Sequence, residues 1–175
     1  MQVCILSDSH MIPKSQLESF FQQLNVDYII HCGDIYMTYQ ENDLPQIIHV
    51  RGNNDRYSPL EQIIEIDQLR FFITHGHHYQ VDQSIHLLQD YAAIHQIDVV
   101  CFGHTHIPYL YQDEHTTYIN PGSLAFPRGL YRYPTYCIFD SQSKQVTYYN
   151  YKTREVCNPF KKPEKKSLFH SLFKK

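Results

Sequence analysis

Apolar residues in this chain fall into short runs separated by polar punctuation, and the runs differ in period. QVCILSD, residues 2–8, is a β-branched and aliphatic stretch ending in a carboxylate, the pattern of a buried strand. Leu17, Phe20, Phe21 and Leu24 then follow the i, i+3, i+4, i+7 spacing of an amphipathic helix. Further strand-like runs lie at 27–34, 47–55, 69–78, 98–106 and 116–123, and Ile85, Leu88 and Ala92 mark a second helix within residues 84–96. Residues 134–152 read as a hairpin turning at Ser141 to Lys144. Strands alternate with helices early and hairpins come late, so an α/β sandwich is expected rather than a doubly wound sheet. No internal repeat is present, and the linker-like NPFKKPEKK at 158–166 marks the expected end of the fold, giving a domain at 1–157 and a basic tail at 158–175.

Composition narrows the class. A chain of 175 residues with 42% hydrophobic and 19% charged content suits one folded domain. No apolar run reaches the length of a membrane span. The opening MQVCILSDSH has neither a basic n-region nor a small-residue cleavage site, so no signal peptide is expected. Five scattered cysteines, mostly inside apolar runs, fit reduced and buried thiols of a cytoplasmic protein. Net charge is −3, but residues 161–175 carry six lysines and one glutamate, leaving 9 basic against 17 acidic residues in the first 160. An acidic body argues against extended nucleic acid as a partner.

Five apolar runs end in the same kind of chemistry: Asp8-Ser9-His10, Gly33-Asp34, Gly52-Asn53-Asn54-Asp55, His75-Gly76-His77, and Gly103-His104-Thr105-His106. Strand ends gather along one edge of an α/β sheet, so the five segments are expected to form one cluster. Taken singly, each has a plain structural reading: Asp-x-His caps a helix, and Gly-Asn-Asn-Asp makes a turn. Together they supply anionic oxygen, imidazole nitrogen and a neutral amide oxygen, a set suited to Mn²⁺, Fe²⁺, Zn²⁺ or Ni²⁺. No cysteine lies at a run end, which disfavours a structural zinc site.

This ordered set resembles the calcineurin-like metallophosphoesterases, with D-x-H at Asp8/His10, G-D at Asp34, G-N-x-D at Gly52 to Asp55, a lone His75, and G-H-x-H at His104/His106. NPGS at 120–123 followed by Pro127-Arg128 is similar to the short single-domain phosphodiesterase branch, related to a retromer subunit of the same fold. The resemblance covers roughly residues 1–150. It implies a four-layer α/β/β/α sandwich of two mixed β-sheets flanked by helices. It also implies two divalent metals, Mn²⁺ first and Ni²⁺, Zn²⁺ or Fe²⁺ as alternatives, about 3.5–4 Å apart and sharing a water or hydroxide that attacks phosphorus. Asp8, His10, Asp34 and His106 would hold one ion, and Asp34, Asn53, His75 and His104 the other, with Asp34 as bridge.

Many larger members of the family it resembles carry a histidine where this chain has Asn54, an amide that donates a hydrogen bond but is no acid near pH 7. Good leaving groups are therefore expected to react best. His77, two residues from His75 along an extended chain, is the candidate substitute acid, with a supporting or exposed role as its alternative. Asp55 is expected to orient a histidine or fix the loop, Asn120 to support the site, and Arg128 to meet phosphate. His31 and His49 read as structural neighbours.

The expected function is metal-dependent hydrolysis of a small, nucleotide-like phosphate ester. The alternative is a non-catalytic scaffold of the same fold; the intact ligand positions, His10 included, favour the enzyme. Tyrosine-rich segments at 109–111 and 131–136 are candidates for a homo-oligomer contact or for core cover. In the tail, Leu168, Phe169, Leu172 and Phe173 would share one helical face between lysines, as in a segment for a partner or anionic membrane, against the plainer reading of a solvated extension.

Overall fold

The computed structural model describes residues 1–35, 47–56 and 58–162. Among the described residues ten strands form two five-stranded sheets. The first contains β1 (Gln2–Leu6), β2 (Tyr28–His31), β3 (Ile47–His49), β9 (Thr135–Asp140) and β10 (Val146–Asn150), in the order β10-β9-β1-β2-β3. The second contains β4 (Glu61–Ile66), β5 (Leu69–Thr74), β6 (Val99–Cys101), β7 (Tyr109–Gln112) and β8 (Thr117–Asn120), in the order β4-β5-β6-β8-β7. Each sheet has a parallel heart: β1-β2-β3 in the first, continued by antiparallel β9 and β10 on one side, and β5-β6-β8 in the second, with antiparallel β4 and β7 at its two edges. Both sheets are therefore mixed.

The period-two alternation of strand side chains sets the layers. Val3 and Ile5 of β1 join Phe71 and Ile73 of β5 in the core between the sheets. Cys4 and Leu6 point the other way, onto Leu17 and Phe20 of helix α1 (Lys14–Gln22). On the far side, Phe72 of β5 and Val100 of β6 meet Leu88 and Ala92 of helix α2 (His86–His95). Helix, sheet, sheet, helix is the four-layer sandwich that the motif resemblance implies.

Two strands escape the pattern reading. EQIIEI forms β4, an edge strand paired antiparallel with β5, and YLYQ forms β7, the opposite edge. The hairpin at 134–152 is β9-β10 as expected. Tyr131 and Tyr136 are buried as core cover, whereas Leu110 and Tyr111 of β7 are exposed. All five cysteines are free, and four are buried. Among the described residues no helix is long and apolar enough to cross a membrane. Phe160 packs edge-on against Tyr148 at 5.3 Å, and the amphipathic pattern of residues 168–173 lies outside the described residues.

Candidate metal centre

All five motif segments leave the C-terminal ends of parallel strands, so topology alone brings them to one rim. The chain must turn sharply there, and it does so in left-handed backbone at Asp8, His10, Asp34, His104 and His106 (φ 43° to 70°). Such conformations cost non-glycine residues about 1–3 kcal/mol each and concentrate at functional sites. Local hydrogen bonds hold them: the N–H of Asp8 donates to the Gly33 carbonyl at 3.0 Å, and that of His10 to the Asp34 carbonyl at 2.9 Å.

The side chains converge in two overlapping groups, Asp8/His10/His106 and Asp8/Asp34/His75, whose ligand atoms lie within 4.8 Å of one another. His106 Nε2 is 3.2 Å from Asp8 Oδ1 and 3.4 Å from His10 Nε2. Asp34 Oδ2 sits between the groups, 3.9 Å from His10 Nε2 and 3.6 Å from His75 Nε2. Asn53 Oδ1 lies 3.2 Å from His75 Nε2 and 3.1 Å from His104 Nδ1. The sequence-derived candidates Asp8, His10, Asp34, Asn53, His75, His104 and His106 thus share one site.

The tautomers test whether a cation fits. His75 Nδ1 is 2.8 Å from the Cys32 carbonyl, and His106 Nδ1 is 2.8 Å from the Phe126 carbonyl, so both rings donate from Nδ1. Each Nε2 is then a lone pair facing carboxylate or amide oxygens, acceptor against acceptor. Asp8 Oδ1 is fully buried and receives no directed hydrogen bond. Positive charge between these atoms, whether a second ring proton or a bound cation, resolves the arrangement, and the oxygen and imidazole donor set fits divalent metal. The electrostatics agree. Burial pushes the Asp8 carboxyl up, but His106 and His75 outweigh it and hold it below the usual value. Burial lowers the His106 imidazole, yet Asp8 and the Phe126 carbonyl raise it overall. Burial keeps His10 and His104 below the ordinary imidazole value, as suits neutral ligands.

Asn54 lies on Asp34: its N–H donates to Oδ1 at 3.0 Å and its Nδ2 to Oδ2 at 2.7 Å. Asp55 fixes the loop, accepting the Gly52 and Ile35 N–H groups at 2.8 and 3.2 Å. Asn120 braces the other rim by donating to the Gly103 carbonyl at 2.7 Å. One expectation needs correction. His77 does not continue an extended strand, because β5 ends at Thr74 and Gly76 (φ 100°) turns the chain into a 3₁₀ turn, His77–Tyr79. The turn still leaves its ring 5.4 Å from His75 and 6.0 Å from His104. Burial, then His75, His78 and His104, push the His77 imidazole down to about 4.

Sequence reasoning took Gly52 as a turn former, but its φ is ordinary and its role is space. A Cβ there would stand 1.9 Å from Asp34 Oδ1 and 2.5 Å from the Asp34 nitrogen. Gly52→Ala is therefore expected to displace Asp34 and weaken metal binding by about 10–100-fold, as loss of a ligand's support does. Calorimetric titration with Mn²⁺ checks this; wild-type affinity would contradict it. Ser123 was also missed: its hydroxyl donates to the Asp8 carbonyl at 2.9 Å and accepts the Phe126 N–H at 2.8 Å. The serine three residues before Phe126 in NPGSLAF was the available signal.

His31 supports the floor. Its Nδ1 accepts the Gly33 N–H at 3.2 Å, so Nε2 carries the proton and donates to Ser9 Oγ at 3.0 Å. Complete burial pushes this imidazole down to about 3. The unfolded chain takes up the proton below about pH 6.5 and the folded one only near pH 3, so stability present above pH 6.5 is lost as pH falls through this window. The full effect is about 5 kcal/mol at most. Urea midpoints measured from pH 7 to 4 are expected to fall less steeply for His31→Asn than for wild type; equal slopes would contradict the assignment.

Residues 1–144, which contain every strand-end motif described above, match the calcineurin-like phosphoesterase superfamily domain. A probable metallophosphoesterase of Mycoplasma genitalium is 33% identical over 150 residues, spanning 84% of this chain and 91% of its own. A phosphodiesterase of Methanocaldococcus jannaschii is 33% identical over 168 residues, spanning 83% of this chain and 96% of its own. Among solved structures, a predicted phosphoesterase of Streptococcus pneumoniae superposes with a TM-score of 0.79 at 26% identity, over 89% of this chain and 92% of its own. Zinc-complexed Vps29 of Entamoeba histolytica shares the fold, with a TM-score of 0.71 at 18% identity over 90% and 96% of the two chains. With its sandwich, its rim of aspartates and histidines and these relatives in agreement, the chain belongs to the calcineurin-like phosphoesterase superfamily.

Proposed function

We propose that the chain is a phosphodiesterase using two divalent metal ions, with Mn²⁺ the first choice, acting on small phosphate esters. The observation that carries this reading is the set of facing acceptors: His106 Nε2 against Asp8 Oδ1 at 3.2 Å, and His75 Nε2 against Asn53 Oδ1 at 3.2 Å. Asp8, His10, Asp34 and His106 would hold one ion, and Asp34, Asn53, His75 and His104 the other. Asp34, whose Oδ2 lies 3.9 Å from His10 Nε2 and 3.6 Å from His75 Nε2, would be the ligand the two ions share. Bound there, the ions supply Lewis-acid charge for the phosphoryl oxygens and activate water for attack on phosphorus. Asn53 ligates without adding negative charge, which keeps the site attractive to a phosphate anion. Arg128, exposed and bonded through its backbone N–H to the His106 carbonyl, would supply a guanidinium for that phosphate. We take residues 1–157 as the catalytic domain. After EDTA treatment, hydrolysis of bis-p-nitrophenyl phosphate is expected to return with Mn²⁺ and to exceed that of p-nitrophenyl phosphate. A monoester preference would overturn the diesterase assignment.

The Asn54 geometry predicts leaving-group dependence. The backbone N–H of Asn54 and one N–H of its side-chain amide go to Asp34, and an amide, which is no acid near pH 7, stands where many larger relatives hold a histidine. His77, its ring 5.4 Å from His75 and 6.0 Å from His104, would be the side chain left to hydrogen-bond the departing group. Without the 10²–10⁴-fold that a general acid supplies, nitrophenyl esters are expected to react at least about 100-fold faster than alkyl esters. A series of substituted aryl methyl phosphates tests this; rates independent of leaving-group acidity would reveal an acid.

A further inference from the structure

The loop after β8 has a fixed backbone. The Ser123 hydroxyl accepts the N–H groups of Ala125 and Phe126 at 3.2 and 2.8 Å and donates to the Asp8 carbonyl at 2.9 Å. His106 Nδ1 donates to the Phe126 carbonyl at 2.8 Å, and the Arg128 N–H returns to the His106 carbonyl at 3.0 Å. Yet the side chain this loop presents, Phe126, is 52% exposed. Its ring centroid lies 5.0 Å from that of His10 and 6.5 Å from that of His106, nearly parallel to the latter at 20°.

A lone exposed apolar residue is ordinary. This one differs in place: it is a flat apolar face at the edge of a cluster of carboxylates, imidazoles and an amide. Nothing in the phosphoryl chemistry uses it. We propose that Phe126 is a stacking platform for the substrate, so that the preferred substrates are small phosphodiesters whose retained group carries a flat aromatic ring, the nucleoside class. The proposal rests on the phosphodiesterase reading. Rings pair well with centroids about 4.5–7 Å apart, and stacking on an aromatic side chain accepts any base because every base has a π-face. Arg128, two residues on and exposed, adds positive charge that reaches His106, while the acidic body disfavours extended nucleic acid.

The test uses the full chain loaded with Mn²⁺ and two diesters that share a p-nitrophenolate leaving group, one of thymidine monophosphate and one of methyl phosphate. In wild type, kcat/KM is expected to favour the thymidine ester. In Phe126→Ala that preference should fall about 10-fold through KM, and Phe126→Trp should restore it. Calorimetric binding of thymidine monophosphate, with methyl phosphate as reference, should show the same loss without turnover. A preference that is unchanged in Phe126→Ala, or a variant that loses Mn²⁺ affinity alone, would overturn the platform and make Phe126 a shield for the histidines. Hydrolysis of neither ester by wild type, with Phe126-dependent binding preserved, would sink the esterase reading and uphold the platform.

Discussion

Asp34→Asn is expected to lower metal-dependent hydrolysis by about 1,000-fold or more, because it removes a charge shared by both candidate metal positions. Asp34 Oδ2 lies 3.9 Å from His10 Nε2 and 3.6 Å from His75 Nε2, and the carboxylate accepts the backbone N–H and one side-chain N–H of Asn54. An amide keeps the shape but places either an NH₂ or a neutral oxygen at each contact. On the side facing Asn54 Nδ2, the NH₂ would meet another donor. Calorimetry should show Mn²⁺ stoichiometry falling from two to one or fewer, with circular dichroism unchanged. Wild-type turnover in this variant would remove Asp34 from the mechanism.

Metal removal should also be felt by the fold. An ion present at 100 times its dissociation constant adds about 2.7 kcal/mol per site. For a domain of this length each kcal/mol moves Tm by about 2–4 °C. EDTA is therefore expected to abolish turnover and to lower Tm by about 5–10 °C for each site emptied. The source is local: Asp8 is 0% and Asp34 2% exposed, and a cation would neutralise these buried carboxylates. Restoring Mn²⁺ should recover both signals together. A Tm indifferent to EDTA would mean that these groups are satisfied without metal.

The site was more legible in the sequence than parts of the fold were. Asp8, Asp34, Asn53, His75 and His104 each follow an apolar run, and parallel pairing carries run ends to one rim. β4 escaped notice because Glu61 and Glu65 interrupt its apolar residues, and pairing with β5 supplies what its own pattern lacks. β7 escaped because YLYQ, as an edge strand, exposes most of its side chains. His77 was misread through Gly76, whose left-handed turn ends the strand early. The space constraint at Gly52 exists only once β2 and β3 lie side by side and bring Asp34 against it. Phe126 had no signal of its own, since only the folded chain places it beside His10 and His106.

The central claim is that two bound ions make this site a phosphodiesterase. Its most direct test is stepwise titration of EDTA-treated protein with Mn²⁺, reading bis-p-nitrophenyl phosphate hydrolysis and bound metal in the same samples. Turnover that rises with the second equivalent per chain and saturates there is the predicted result. Two equivalents bound with no turnover would contradict it and leave a metal-binding scaffold of the same fold.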